Sequence, residues 1–111
     1  MLVWQKAPAV TLSIYRLTAV FLKSETFALT SQLHRASASI PANFVEGFRK
    51  RTTPDKLRYD NTAQGAADEC RYHLILANDL NYADTLPHQA AVEEVARLLQ
   101  AYMNGLRRHT R

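Results

Sequence analysis

Apolar residues recur along this chain at alternating intervals of three and four positions, and the recurrence is interrupted only three times. In the first stretch the recurring residues are Val3, Ala7, Val10, Ile14, Leu17 and Phe21. This spacing places them on one face of an α-helix, and such a helix must bury that face against other helices. The pattern therefore predicts an all-α protein, and 111 residues suit a single domain, residues 1–111.

The same spacing continues through three later stretches, each of which predicts the buried face of another helix. In the second stretch the recurring residues are Leu29, Leu33, Ala36, Ile40, Asn43 and Gly47. In the third they are Tyr59, Ala63, Ala66, Cys70, His73, Ala77 and Leu80. In the fourth they are Val92, Val95, Leu99, Tyr102 and Leu106.

Three short breaks separate the four predicted helices. The first is the polar run 23–26, in which Ser24 or Thr26 is the predicted cap of the second helix. The second ends at Thr53, the predicted N-cap of the third helix, and the third follows Asn81, which suits a left-handed C-cap. Helices joined by such short connections lie antiparallel. We therefore expect an antiparallel up-down-up-down four-helix bundle.

The second stretch has an unusual middle, because small side chains dominate between Ala36 and Gly47. Small residues let two helix backbones approach closely, so we expect a tight crossing there. Pro41 lies inside this stretch, and a proline there removes the hydrogen bond to the carbonyl of Ser37. Either the helix ends near Ser39 and restarts, or one kinked helix continues through the proline. The unbroken apolar spacing favours the continuous helix.

The third stretch is rich in alanine, which again implies close packing between helices. Gly65 lies in its middle, where a glycine costs about 1 kcal/mol of helix stability relative to alanine. We therefore expect a compensating close contact at this glycine, with the small residues of the second helix as candidates.

Basic residues outnumber acidic ones by 14 to 10, which gives a net charge of +4. The predicted topology brings together the ends of helices two and four and the starts of helices one and three. The basic residues expected there, which we call the basic pole, are Lys6, Arg49, Lys50, Arg51, Lys56, Arg107, Arg108 and Arg111. Clustered Lys and Arg suit contact with the phosphates of RNA or DNA, although cations at helix C-termini also complement the helix dipole. No series of aromatic residues accompanies the cluster, so base stacking is not predicted.

Sequence motifs for catalysis and for metal or cofactor binding are missing. Cys70 and His73 face the same way on the third helix, but a metal site needs further ligands. Glu46 beside Asn43 lacks a nucleophile or a second titrating group, and we interpret it as a polar anchor between helices. No Gly-rich phosphate loop, nucleophile elbow or zinc-finger spacing occurs. We expect no enzyme activity, no cofactor and no metal.

Targeting signals are also missing from the sequence. The single cysteine excludes an intrachain disulfide and fits a reducing compartment. The apolar opening segment is interrupted by Lys6 and Arg16, and no cleavage site follows it. We expect a cytoplasmic protein that does not associate with membranes.

Four segments carry a resemblance to a known bacterial family: VWQKA (3–7), FALTSQLHRA (27–36), SIPAN (39–43) and LNY (80–82). They resemble the four-helix bundle proteins encoded in intervening sequences of bacterial large-subunit (23S) ribosomal RNA genes. Phe44-Val45 replaces the family's usual Ile-Ala at packing positions. The residues that match its most distinctive motif are Ser31, Gln32, Arg35, Ser39, Pro41, Asn43, Glu46 and Gly47.

This resemblance implies a homopentamer of four-helix bundles and one continuous helix through Pro41. One relative, the accessory variability determinant of diversity-generating retroelements, is a basic pentamer that binds nucleic acid and works with a reverse transcriptase. The resemblance thus implies a homo-oligomer that contacts RNA or DNA, with a reverse transcriptase or another protein as a further partner. The alternative is a protein–protein adaptor or scaffold that does not bind nucleic acid, in which surplus apolar residues such as Trp4 and Tyr15, on the flanks of the first helix, contact another subunit or the partner.

Overall fold

The computed structural model describes residues 1–21 and 23–109, with residues 23–26 described only as part of a helix. Its helices are α1 (Leu2–Thr18), α2 (Lys23–Phe48), α3 (Thr53–Asp79) and α4 (Leu86–Arg108). Neighbouring helices pack in the cyclic order α1, α2, α3, α4 and back to α1. The predicted all-α four-helix fold is confirmed. Across the described ranges, no helix is long and apolar enough to span a bilayer.

Contacts between neighbouring helices show that they run in opposite directions. Thr11 of α1 bonds to Ser37 of α2, and Thr18 bonds to His34, so the partner's number falls as the α1 number rises. The same reversed order relates the other three packed pairs. The ends of α2 and α4 therefore lie at the same end of the bundle as the starts of α1 and α3.

The core contains most of the residues predicted from the apolar spacing. All six residues predicted for the first helix are buried, five of them in α1 and Phe21 in the turn that follows it. Phe44 is buried where Asn43 was expected, and Met103 where Tyr102 was expected. An α-helix has 3.6 residues per turn, so its buried face drifts away from a strict alternation of three and four over several turns. The buried residue after Ile40 or after Leu99 is therefore four positions further along the helix, where the strict alternation predicted three.

Two predicted helix starts are wrong. A turn at residues 19–21 follows α1, before the polar run 23–26, which belongs to α2. Phe21 is buried in this turn, with its ring centroid 5.8 Å from that of Tyr82, so an apolar residue anchors the reversal. The predicted caps Ser24 and Thr26 have side chains outside the described residues.

The N-cap of α3 is Thr52 rather than Thr53. The hydroxyl oxygen of Thr52 accepts the backbone N–H of Asp55 at 3.3 Å. An N-cap side chain bonds the N–H two or three residues on, and Pro54 has no N–H to offer. Thr52 also accepts the backbone N–H of Lys56 through its carbonyl at 3.0 Å, so the first helical hydrogen bond already begins at Thr52.

Asn81 has φ of 62°, as predicted for a left-handed cap of α3. The N–H of Tyr82 donates to the Ala77 carbonyl, and the N–H of Asn81 donates to the Asn78 carbonyl, each at 3.0 Å. This pair of hydrogen bonds is the Schellman arrangement that ends a helix and reverses the chain.

The helix α2 continues through Pro41, as the apolar spacing favoured. Pro41 cannot donate to the Ser37 carbonyl, but the Thr11 hydroxyl of α1 lies 2.8 Å from that oxygen. The same hydroxyl is 3.2 Å from the Ala7 carbonyl in its own helix, the longer of its two contacts. A side chain of the neighbouring helix thus replaces the donor that the proline removes.

The close approach expected at Gly65 occurs instead at Gly47. A Cβ atom built on Gly47 would lie 2.9 Å from the Tyr59 Cβ and 3.0 Å from the Lys56 carbonyl oxygen. Gly65 is exposed, and a Cβ there would meet nothing within 4 Å. The expectation for Gly65 is wrong because this residue lies on the outer face of α3, opposite the buried Ala67.

We expect the substitution Thr11→Val to lower the free energy of unfolding by about 1–3 kcal/mol, because it leaves the Ser37 carbonyl without a donor. Urea denaturation followed by circular dichroism measures the loss. The control is Thr62→Val, since that exposed hydroxyl bonds only a carbonyl of its own helix.

The double variant Thr11→Val/Pro41→Ala separates this hydrogen bond from other effects. Alanine at position 41 restores a backbone N–H that donates to the Ser37 carbonyl. In a protein with Pro41→Ala, Thr11→Val should therefore lower the free energy of unfolding much less than it does in the unmodified protein. An equal cost in both backgrounds would show that Thr11 acts through packing alone.

The two glycines of α2 and α3 should respond in opposite ways to alanine. Gly47→Ala is expected to destabilise the fold by about 1–3 kcal/mol, because backbone or Cβ atoms must move. Gly65→Ala is expected to stabilise it by about 0.5–1 kcal/mol through helix propensity. Thermal unfolding of both variants measures the difference, and a stabilising Gly47→Ala contradicts the close crossing.

Candidate nucleic-acid interface

The ends of α2 and α4 meet at one end of the bundle, where the basic pole was predicted. The ring of Phe44, in the last turns of α2, lies 5.2 Å from the ring of Tyr102 near the end of α4. The described residues of the cluster that follow or end these two helices are Arg49, Lys50, Arg51, Arg107 and Arg108. Arg111 lies outside the described residues.

Three cations along the sides of the bundle pair with carboxylates of neighbouring helices. The Nζ of Lys6 lies 3.4 Å from Glu94, and the Nε of Arg71 lies 2.7 Å from Glu93. Lys6 was expected at the basic pole, but it pairs with Glu94, which lies 14 positions before the end of α4 at Arg108. Arg35 is paired in the same way with Glu69 of α3.

Arginines of the basic pole are less neutralised. Arg49, Arg51 and Arg108 are exposed, and within the described part of the chain they form no ion pair. Arg107 is also exposed and donates only to the amide oxygen of Asn104, at 3.3 Å. The arrangement presents several guanidinium groups to solvent at one end of the molecule.

Lys50 and Lys56 of the basic pole are held against the bundle. The Nζ of Lys56 donates to the Phe48 carbonyl at 2.7 Å and lies 5.5 Å from the centre of the Phe48 ring. The Nζ of Lys50 lies 5.1 Å from the centre of the Tyr59 ring and 3.9 Å from a Glu46 carboxylate oxygen. Lys56 thus places a positive charge at the C-terminus of α2, where a cation interacts favourably with the helix dipole.

The residues of the family motif stabilise α2 and its contact with α3. Ser31 is exposed, and the amide oxygen of Gln32 accepts a hydrogen bond from Arg35 at 2.8 Å. Arg35 also reaches Glu69, so it links α2 to α3.

Further along α2, the motif makes contacts within the helix. The side-chain amide of Asn43 donates to the carbonyl and hydroxyl oxygens of Ser39, both at 2.9 Å. Glu46 reaches only Lys50, at 3.9 Å, so the expected anchor between helices is wrong for Glu46. Arg35 bridges the helices instead, because it extends from α2 directly opposite Glu69.

Cys70 and His73, the two residues noted on one face of the third helix, have no third metal ligand beside them among the described residues. Burial, with a smaller contribution from Glu69, raises the pKa of the Cys70 thiol to about 12. The Nδ1 of His73 lies 2.8 Å from the Glu69 carbonyl oxygen. In the ranges that the structure describes, no three His, Cys, Asp or Glu side chains are grouped as metal ligands.

Two aromatic residues lie at the edge of the basic pole, although the sequence predicted no aromatic series there. Trp4 of α1 and Phe48 of α2 are each 52% exposed and line one groove together with Arg49. They are 44 positions apart in the sequence, so only the antiparallel pairing of α1 and α2 brings them together.

A buried carboxylate lies beneath the basic pole and was not predicted. Asp60 is 1% exposed, and neither carboxylate oxygen has a hydrogen-bond partner among the described residues. Burial raises the pKa of Asp60 from 3.8 to about 6, although the nearby Lys56 charge acts in the opposite direction. Burial, and to a lesser extent the Asp60 charge, also raises the pKa of Tyr102. The apolar spacing placed Tyr59 on the buried face and offered no signal for Asp60.

Folding should favour protonated Asp60, so this residue should make the protein less stable as the pH rises from about 4 to about 7. The difference between pKa values of 3.8 and about 6 corresponds to roughly 3 kcal/mol. We expect Asp60→Asn to remove this part of the pH dependence in urea denaturation at pH 4, 5, 6 and 7. The control Asp68→Asn, which changes an exposed residue of the same helix, should keep the pH dependence of the wild-type protein. An unchanged pH profile in Asp60→Asn would contradict the assignment.

Comparison with known proteins identifies the family of this chain. The family model described as 23S rRNA-intervening sequence protein matches residues 1–103. The crystal structure of a protein of unknown function from the S23 ribosomal protein family of Bacteroides thetaiotaomicron is similar, with a TM-score of 0.85. That similarity covers 91% of this chain and 97% of that chain at 23% identity, and it supports the fold alone. No curated protein matches the chain. Because the family model spans nearly the whole sequence, this chain belongs to the 23S rRNA-intervening sequence protein family.

Proposed function

We propose that this chain is a non-enzymatic, homo-oligomeric protein that binds the phosphate backbone of RNA or DNA through its basic pole. The observation that carries the proposal is the concentration of exposed, unpaired arginines at one end of the bundle. Arg49, Arg51 and Arg108 lie together there and form no ion pair within the described ranges, whereas the unpaired Arg16 and Arg97 lie apart on the sides. Exposed guanidinium groups at one end suit phosphate oxygens, which they contact in paired geometry.

The helix dipole alone accounts for only part of this cluster. Lys56 already donates to the terminal carbonyl of Phe48 in α2. Exposed cations beyond such a contact repel one another, and a polyanion relieves that repulsion and releases counterions when it binds. The arginines are therefore better explained by an anionic partner than by helix capping.

Oligomerisation would strengthen such an interface. Several copies of one basic pole, held on the same face of an assembly, engage one polyanion with an affinity far above that of a single copy. We propose a pentamer, on the basis of the family resemblance. Light scattering of the purified protein tests this assembly against the monomer mass of 12.6 kDa.

The alternative function is a protein–protein adaptor or scaffold, with a reverse transcriptase or another protein as the partner. Its support is the exposed apolar surface of α1, where Trp4, Leu12 and Tyr15 are each about half exposed. Recovery of a specific protein partner after nuclease treatment, together with no binding of nucleic acid at low salt, would favour the adaptor.

The double variant Arg49→Ala/Arg51→Ala tests the main proposal. We expect its affinity for a labelled structured RNA or duplex DNA to fall, and the slope of log K against log salt to decrease by about one unit for each lost phosphate contact. Fluorescence anisotropy over a series of salt concentrations measures both quantities.

The matched control is Arg16→Ala/Arg97→Ala, which removes the same charge from exposed positions away from the basic pole. It should bind almost as tightly as the unmodified protein. Absence of binding at low salt, or equal weakening by both double variants, would overturn the proposal.

A further inference from the structure

We propose that the groove beside the basic pole is a stacking site for an unpaired nucleobase, so that the bound nucleic acid is single-stranded or carries unpaired nucleotides. This inference rests on the proposed function and specifies its ligand. The groove lies between the start of α1 and the end of α2 and has a volume of about 340 Å³. Its lining residues are Met1, Trp4, Phe44, Val45, Phe48 and Arg49.

The groove exposes aromatic surface where charge also collects. Trp4 and Phe48 are each 52% exposed. Trp4 also lines a neighbouring groove that contains Arg49 and Lys50. An aromatic surface beside cations matches the two requirements of single-stranded nucleic-acid binding, in which bases stack on rings and the backbone follows positive charge.

The Phe48 ring is held in place before any ligand binds. The buried Phe44 ring lies 6.3 Å from it at an interplanar angle of 39°. The Nζ of Lys56 lies 5.5 Å from the Phe48 ring centre and donates to the carbonyl of the same residue. A side chain that is already positioned loses little conformational entropy when a base stacks on it.

Charge complementarity selects a nucleotide as the occupant of this groove. Arg49 lines both grooves and has no ion-pair partner in the part of the chain that the structure describes. Glu46, which lines the neighbouring groove, is paired with Lys50. A base placed between Trp4 and Phe48 brings its phosphate towards Arg49, which lines the same groove. Paired bases of a duplex remain stacked within the helix and do not reach a groove of this kind.

Trp4 is the only tryptophan of the chain, so its fluorescence reports directly on the groove. The probes are a short oligothymidylate, an abasic oligonucleotide with the same number of phosphates and a duplex of equal length. We expect saturable quenching of Trp4 fluorescence by the oligothymidylate. The abasic oligonucleotide and the duplex should bind through charge without this quenching.

Aromatic variants supply the second test. Trp4→Ala and Phe48→Ala should each weaken oligothymidylate binding about tenfold, measured by anisotropy, and leave duplex binding unchanged. The control is Phe27→Ala, which removes a ring that is 77% exposed near the other end of α2. Phe48→Leu keeps apolar volume without the ring and should show the same loss, so it replaces Phe48→Ala if that variant is unfolded by circular dichroism.

The outcomes separate this inference from the proposed function. Equal affinity for the oligothymidylate and the abasic oligonucleotide, with unchanged Trp4 fluorescence, would overturn the stacking site while the basic pole still binds phosphates. Protection of Trp4 from acrylamide in the free protein would also overturn it, because a second copy or another protein segment then covers the groove. If none of the three probes binds at low salt, the proposed function itself is wrong.

Discussion

The Thr11 hydroxyl donates to the Ser37 carbonyl, the group that Pro41 leaves without its helical partner. This hydrogen bond crosses from α1 to α2, so the helix that contains the proline depends on its neighbour for a complete set of backbone hydrogen bonds. A buried carbonyl without a donor costs about 1–3 kcal/mol, which is a large share of the stability of a small domain. Through this contact α2 continues unbroken to Phe48 and carries the residues that follow it to the end of the bundle.

The continuity of α2 decides what lies at that end. It places Phe48 beside Trp4 of α1 and brings Arg49 to the rim of their shared groove. The close approach at Gly47 sets α2 against α3, and Lys56 then reaches the Phe48 carbonyl. Lys6, Arg35 and Arg71 on the sides of the bundle are paired with carboxylates, whereas the arginines gathered at the basic pole are exposed to solvent. The same packing that builds a compact core thus concentrates unneutralised charge and aromatic surface at one end.

Much of the fold was predictable from local rules. The buried face of α1 follows from its apolar spacing, and the left-handed conformation of Asn81 follows from its position after the last turn of α3. The errors have physical causes. Strict alternation of three and four selected Asn43 although the helix period buries Phe44, and a polar run suggested a turn that the chain makes around Phe21. The end at which the basic residues collect followed from antiparallel topology, so the cluster was predictable before any of its contacts.

By itself, the sequence determined the number of helices, their antiparallel order and the residues of most of the core, because these depend on helix periodicity and on short connections. Three features were decided only by the tertiary structure. Gly47 lies at the close crossing, Asp60 is the buried carboxylate, and Trp4 and Phe48 share one groove. Each of these depends on the rotation and offset of one helix against another. Those quantities are set by how side chains of different helices fit together, and the spacing along a single helix does not contain them.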